Sequence, residues 1–250
     1  MPISNITTKE VAKRTMNLFF LVDTSGSMAG RKIAALNQAV RESLPIIKEI
    51  SQENGDANIK IAVLEFSDGV KWMYDEPLDA NDFEWTDLGV DCLTCFGKAL
   101  GELNTKMSRK EFMASLAYQP VIIVLSDGAP TDDYKHNLEK LKENNWFKAA
   151  TKIAIAIGDD ASKDVLAEFT GNPEAVFSAD NVFMLKNIIK VASVTSSLIG
   201  SQSSTSSEKT KSDQIIDKII DEIEDKEKEQ EEQKNNSSSN DGDDDIFAGF

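Results

Sequence analysis

The sequence is poor in the residues that build several common kinds of site. Its 250 residues include one histidine, His136, and two cysteines, Cys92 and Cys95. Two cysteines are too few for a disulfide framework and are typical of a reducing compartment. A serine nucleophile needs a base beside it, and His136 lies in a charged stretch typical of a solvated surface. The composition therefore disfavours a disulfide scaffold and Ser-His-Asp hydrolysis.

Long hydrophobic runs and positive charge are also scarce. No apolar run approaches the length that crosses a bilayer, and residues 1–15 lack the apolar core of a secretory signal. The formal net charge is -16, and residues 201–250 carry 15 acidic residues against 6 lysines. Such a chain repels phosphates and anionic lipid, so we expect no nucleic acid partner and no membrane insertion. We expect a cytoplasmic protein.

Short apolar runs alternate with amphipathic stretches over the first 200 residues. Strands separated by helices of this length predict an α/β fold: a doubly wound, mostly parallel sheet with one antiparallel edge strand and helices on both faces. The predicted strands cover residues 16–22, 58–66, 70–74, 121–125, 152–157 and 175–178. The predicted helices cover residues 29–51, with a kink or break at Pro45, and residues 94–116, 133–150, 162–169 and 181–198.

The chain divides into three predicted regions. Residues 1–14 form an N-terminal extension, residues 15–200 one domain, and residues 201–250 a low-complexity, disordered acidic tail. Within the tail, isoleucines form one stripe of an amphipathic helix over residues 213–233, which we expect to order only against the body or a partner. The acidic run before two phenylalanines suggests a docking motif at residues 243–250, formed by Asp243, Asp244, Asp245, Ile246, Phe247 and Phe250.

Hard oxygen donors follow two of the predicted strands. Asp23, Ser25 and Ser27 alternate after the first strand, and Asp127 follows the strand at residues 121–125. The carboxyl ends of parallel strands share one edge of the sheet, and Thr94, before a helix, can join them there. Such a donor set suits Mg²⁺, with Mn²⁺ as the alternative ion. The simpler interpretation of Asp23, Ser25 and Ser27, a helix N-cap, needs only one of these side chains.

These segments, Asp23-Thr24-Ser25-Gly26-Ser27, Thr94 and Ser126-Asp127-Gly128, resemble the metal-ion-dependent adhesion site of von Willebrand factor A domains. The resemblance covers roughly residues 15–200 and implies a Rossmann-like fold. It implies that the metal is held by Asp23, Ser25, Ser27, Thr94 and Asp127. The residues before Thr94 are bulkier than is usual in that family, and Thr86 is the nearest alternative. The sequence as a whole also resembles the bacterial TerY-like proteins of tellurium-resistance and stress operons.

The predicted function is a non-enzymatic, metal-dependent protein-interaction module. A partner's Asp or Glu would complete the Mg²⁺ shell, because two anionic ligands leave the ion attractive to an external carboxylate. The TerY-like resemblance implies a stress-response assembly with kinase and phosphatase partners from the same operon. The alternative is a Mg²⁺-dependent hydrolase of phosphate esters, which lacks an evident general base. Cys92 and Cys95 flank Thr94, and we keep two hypotheses for them, a redox pair and simple packing.

Overall fold

The computed structural model of the protein describes residues 13–128, 130–201 and 210–238. Its strands are Arg14–Asp23 (β1), Ala57–Phe66 (β2), Val70–Trp72 (β3), Leu78–Asp79 (β4), Val121–Ser126 (β5), Thr151–Ile157 (β6) and Val176–Ala179 (β7). Its α-helices are Arg31–Glu53 (α1), Phe96–Lys106 (α2), Tyr134–Glu143 (α3), Asn145–Ala149 (α4), Lys163–Thr170 (α5), Val182–Ser201 (α6) and Lys211–Ser238 (α7).

The strands form one sheet in the order β3-β2-β1-β5-β6-β7, with β4 also paired to β2. The pairs β1–β2, β1–β5, β5–β6 and β6–β7 are parallel, whereas β3 and β4 run antiparallel to β2. This confirms the predicted α/β fold with a mostly parallel sheet and an antiparallel edge. Two short strands, β3 and β4, form that edge. The strand order reverses between β1 and β5, so a crevice is expected where their carboxyl ends separate.

Each face of the sheet buries its own hydrophobic core. Alternate residues of β1 point to opposite faces, as the twofold period of a strand requires. Leu18 and Phe20 pack in a core with residues of α1, α6 and α7. Phe19 and Leu21 pack in a second core with residues of α2, α3 and α5. Helices on both faces explain why β1 is almost continuously apolar.

Three predicted helices differ from the observed ones. The helix predicted over residues 94–116 ends at Lys106, because the chain turns to bury Phe112 beneath the edge of the sheet. The helix predicted over 133–150 is divided at Asn144, whose side chain caps the following turn. The prediction of a break at Pro45 is wrong, because α1 continues through this residue. Pro45 lies on the exposed face, where water can reach the carbonyl group that loses its partner.

The amphipathic stripe of the acidic C-terminal region packs on the body of the protein. Helix α7 includes the predicted residues 213–233 and lies against α6 and β6. Among the side chains of α7 that the structure describes, the buried ones are Ile215, Ile216, Ile219 and Ile223. The predicted docking motif at residues 243–250 lies outside the described residues. Of the helices that the structure describes, none combines the length and apolar character needed to span a membrane.

Candidate metal centre

Two buried aspartates lie at neighbouring strand ends. Asp23 is the last residue of β1, and Asp127 directly follows β5. The two strands are paired in parallel up to Val22 and Leu125, so both carboxylates lie at the carboxyl edge of the sheet. Asp23 is 0% exposed and Asp127 is 4% exposed. Two carboxylates withdrawn from water at one place are costly unless a cation or hydrogen-bond donors compensate them.

The surroundings of Asp23 compensate its charge only in part. One carboxylate oxygen, Oδ1, accepts a hydrogen bond from the backbone N–H of Ser25 at 2.9 Å, and Oδ2 accepts one from the Ser126 hydroxyl at 2.5 Å. Burial raises the pKa of Asp23 despite these bonds, and the nearby charge of Asp127 adds to the rise. A bound cation would stabilise the ionised form of Asp23 that burial disfavours. Sequence reasoning did not assign this supporting role to Ser126.

The serines of the first loop do not act as helix caps. The Ser25 and Ser27 hydroxyl oxygens lie 3.0 Å apart, whereas the Thr24 hydroxyl turns away and donates to the Phe66 carbonyl. Helix α1 begins after Gly30, and Ser25, which precedes the short 3₁₀ turn, makes no capping bond with its side chain. The N-cap interpretation therefore fails for the two serines, whereas Asp23 does accept the Ser25 N–H. Both hydroxyl oxygens keep lone pairs for a further ligand.

The loop that carries Thr94 packs over this first loop. A Cβ atom at Gly26 would lie 3.3 Å from the carbonyl oxygens of Asp91 and Cys92, so the two loops approach each other closely there. Thr94 is 5% exposed, and its carbonyl oxygen accepts a hydrogen bond from the Thr131 backbone N–H at 2.9 Å. Thr94 shares a small pocket with Ser126 and Gly128, directly beside the end of β5.

The competing threonine, Thr86, is exposed on an earlier part of the same connection. The structure therefore brings Thr94 to the strand ends and leaves Thr86 at the surface. The site residues drawn to this edge of the sheet from three separate segments are Asp23, Ser25, Ser27, Thr94 and Asp127.

Lys32, which sequence reasoning missed, contacts one of the aspartates. Its ammonium nitrogen lies 3.1 Å from Asp127 Oδ2 and 2.8 Å from Asp160 Oδ1. Burial acts to lower the pKa of Lys32, but the bonds to Asp160 and Asp127 outweigh this effect and raise it. The other oxygen of Asp127, Oδ1, is buried without a hydrogen-bond partner in the described part of the chain. One oxygen of this carboxylate is thus held, and the other is left for a ligand.

No family model and no curated protein matches the chain. Solved structures with a similar fold include a von Willebrand factor type A protein from Catenulispora acidiphila, with 17% identity and a TM-score of 0.57. The ArnB paralog VWA2 from Sulfolobus acidocaldarius is 17% identical, with a TM-score of 0.53. Proximal thread matrix protein 1 from the mussel byssus is 20% identical, with a TM-score of 0.54. The chain has the von Willebrand factor A fold.

The similarity covers 72–74% of this chain but only 43–47% of those three proteins. The chain thus spans less than half of the length of the structures it matches. At these identities the comparison establishes the von Willebrand factor A fold and leaves the chemistry to the residues themselves.

The chemistry of the donor set at this edge of the von Willebrand factor A fold suits a hard divalent cation. Two carboxylates and three hydroxyl groups supply only oxygen, the donor that Mg²⁺ and Mn²⁺ prefer. The described residues contain no group of three or more His, Cys, Asp or Glu side chains able to hold a metal ion, so a thiolate or imidazole cage is not built here. The unpartnered Asp127 Oδ1 is the atom that a cation, or its bound water, would satisfy.

The two cysteines lie on the Thr94 loop as free thiols. Cys92 is exposed, and Cys95 is buried with its sulfur 3.5 Å from the Asp68 carbonyl oxygen. The Cys92 carbonyl is one of the groups packed over Gly26, so the loop that carries these thiols borders the candidate site. The redox hypothesis stays a prediction. The one histidine, His136, is exposed on α3, in keeping with the solvated role expected of it.

Proposed function

We propose that the protein is a divalent-metal-dependent interaction module that binds a partner's carboxylate through Mg²⁺. The observation that carries this proposal is the buried pair Asp23 and Asp127, whose charges Lys32 compensates only in part. Asp127 keeps one oxygen without a partner among the described residues. A divalent cation is the ligand that best compensates the charges of such a buried pair.

The five oxygen-bearing residues would hold the ion, and Mn²⁺ is the alternative to Mg²⁺. Mg²⁺ keeps several of its waters in protein sites, which leaves coordination positions for an external ligand. Bound there, the ion would supply a positive centre at the protein surface. Helix α1 begins at Arg31, a few residues after Ser27, and its N-terminus adds positive potential on the same side. A carboxylate from another protein is the ligand that this potential attracts.

The finer parts of the proposal rest on the resemblance of the sequence to TerY-like proteins. We propose a place in a cytoplasmic stress-response assembly of the tellurite-resistance type, with kinase and phosphatase components as candidate partners. The partner's contact residue would be an Asp or a Glu. We propose that the module does not catalyse a reaction, since no general base accompanies the oxygen cluster among its described contacts.

The metal requirement is tested by calorimetry with Mg²⁺ on the wild type and two isosteric variants. Asp127→Asn should lower the affinity at least ten-fold, because a charged ligand is lost. Asp56→Asn is the matched control, since Asp56 is exposed and precedes β2 at the opposite end of the sheet. Equal Mg²⁺ affinity in the wild type and Asp127→Asn would refute the site.

Partner capture is tested by retention of lysate proteins on the immobilised full chain. Proteins retained with Mg²⁺ should be lost both in EDTA and on Asp127→Asn, while Asp56→Asn retains them. A phosphate-ester turnover assay in Mg²⁺ or Mn²⁺ accompanies it. Sustained turnover that Asp127→Asn abolishes would favour the alternative, a metal-dependent hydrolase, over the interaction module.

A further inference from the structure

Lys32 stands between the candidate metal centre and a neighbouring loop. It belongs to the first turn of α1, and its side chain is 19% exposed. Its ammonium group joins Asp127, which follows β5, to Asp160, which follows β6. The Gly158 backbone also lies close to the Lys32 side chain, since a Cβ atom there would be 2.7 Å from Lys32 Cε. Two ion pairs and low exposure therefore hold the ammonium group between the two aspartates.

The contact with Lys32 decides which oxygen of Asp127 is available. Lys32 engages Oδ2 at 3.1 Å, and Oδ1 is the buried oxygen without a partner in the described part of the chain. The backbone around Asp127 is also held, because its carbonyl accepts a hydrogen bond from the Ser162 N–H at 2.7 Å. With both the backbone and one oxygen fixed, Asp127 presents a preorganised oxygen to a ligand.

We propose that Lys32 is a positioning residue that also sets the charge of the metal centre, weakening the binding of the cation and strengthening the binding of the carboxylate. This inference rests on the proposed function. A divalent cation and the two carboxylates of Asp23 and Asp127 would together carry no net charge. Lys32 adds one positive charge in direct contact with Asp127, whereas its other partner, Asp160, has a side chain that is 75% exposed and is screened by water. The loaded centre is thereby left positive.

The inference predicts effects of opposite sign on two ligands. Lys32→Met removes a repulsive charge from the cation, so Mn²⁺ should bind about ten-fold more tightly. The same change removes an attractive charge from an anion, so glutarate should bind to the Mn²⁺-loaded protein roughly five-fold or more weakly. A side chain that merely held the fold together would change both affinities in the same direction.

Water-proton relaxation measures both affinities on the full chain, because glutarate displaces water from bound Mn²⁺. Lys48→Met is the matched control, as it removes the same charge from the same helix about 24 Å away at 1.5 Å per residue. Lys48 donates to the Asn81 carbonyl, and its replacement should move neither constant. Lys32→Arg keeps the charge and should stay within about three-fold of the wild type in both.

A second variant leaves Lys32 in place and protects the test against misfolding. Asp160→Asn removes an exposed and screened counter-charge, so it should give the reverse pattern on a smaller scale, with Mn²⁺ about two-fold weaker and glutarate about two-fold tighter. Mn²⁺ binding that is equal in the wild type, Lys32→Met and Asp160→Asn would overturn the inference and leave the proposed function standing. A wild type that binds no Mn²⁺ would overturn both.

Discussion

The carboxyl edge of the sheet and the packing of α6 against α7 both bury polar atoms, but of different kinds. At the sheet edge the buried groups are the carboxylates of Asp23 and Asp127. In α6 they are neutral amide and hydroxyl groups, and Asn187 Nδ2, Ser193 Oγ and Ser196 Oγ have no hydrogen-bond partner among the described residues. Helix α7 covers α6 with isoleucines, which adds apolar area and no charge.

The comparison separates buried polar groups that apolar packing can offset from buried charges that it cannot. A buried hydroxyl without a partner costs about 1–3 kcal/mol, which the burial of neighbouring isoleucines can offset. A buried carboxylate costs far more, and apolar packing cannot compensate it. The α6–α7 packing is therefore explained by stability alone. Lys32 and hydrogen-bond donors compensate the pair Asp23 and Asp127 in part, and under the proposed function a cation would supply the rest.

The largest effect is expected from the isoleucines of α7. Ile219 is 0% exposed in the core beneath the helix, so Ile219→Ala should lower the free energy of unfolding by about 2–5 kcal/mol. Urea denaturation measures the change, with Asp221→Ala on the exposed side of α7 as the control. Mg²⁺ affinity should stay unchanged in both variants. A loss below about 0.5 kcal/mol in Ile219→Ala would show that α7 does not contribute to the core.

The next effect concerns the choice between the two threonines. Thr94→Ala should weaken Mg²⁺ binding about ten-fold, because the centre loses one of its oxygen ligands. Thr86→Ala should leave the affinity unchanged, as Thr86 is exposed away from the pocket that Thr94 shares with Ser126. Calorimetry with Mg²⁺ measures the affinity of both variants. An equal loss in the two variants, or none in Thr94→Ala, would remove Thr94 from the ligand set.

The position of the two aspartates at one edge of the sheet could be predicted because each follows a readable local signal. Asp23 and Asp127 directly follow short apolar runs, and parallel strands bring such positions to one edge. Lys32 could not be predicted in the same way. Its partner Asp127 is 95 residues away, and a lysine near the start of an amphipathic helix has the pattern of a solvated residue.

The fold was predictable for a related reason, and its errors have physical causes. The sheet follows from apolar runs, whose burial on two faces leaves little choice of partner. The end of α2 at Lys106 depends on Phe112 finding a place against Trp72, a contact across 40 residues that local periodicity does not contain. Likewise, the isoleucine stripe of α7 fits the body or a partner equally well until α6 is seen beside it.

The charge at the sheet edge also predicts a pH dependence. Burial raises the pKa of Asp23 above 3.8, so the folded metal-free protein holds this proton more tightly than the unfolded chain does. Stability from this group is therefore fully present below 3.8 and declines as the pH rises through the raised pKa, by at most about 1.4 kcal/mol per unit. Asp23→Asn should flatten this decline in urea titrations with EDTA. Parallel pH profiles for wild type and variant would contradict the prediction.

The smallest effect is expected from the neutral hydroxyls of α6. Ser193→Ala and Ser196→Ala each remove a buried donor that has no partner among the described residues, so stability should stay the same or rise by up to about 1 kcal/mol. Ser25→Ala provides the contrast, because its hydroxyl is also buried yet belongs to the donor set. It should leave the metal-free stability nearly unchanged and weaken Mg²⁺ binding. A loss of stability above about 1 kcal/mol in either α6 variant would contradict the prediction. It would mean that these hydroxyls make hydrogen bonds that stabilise the core.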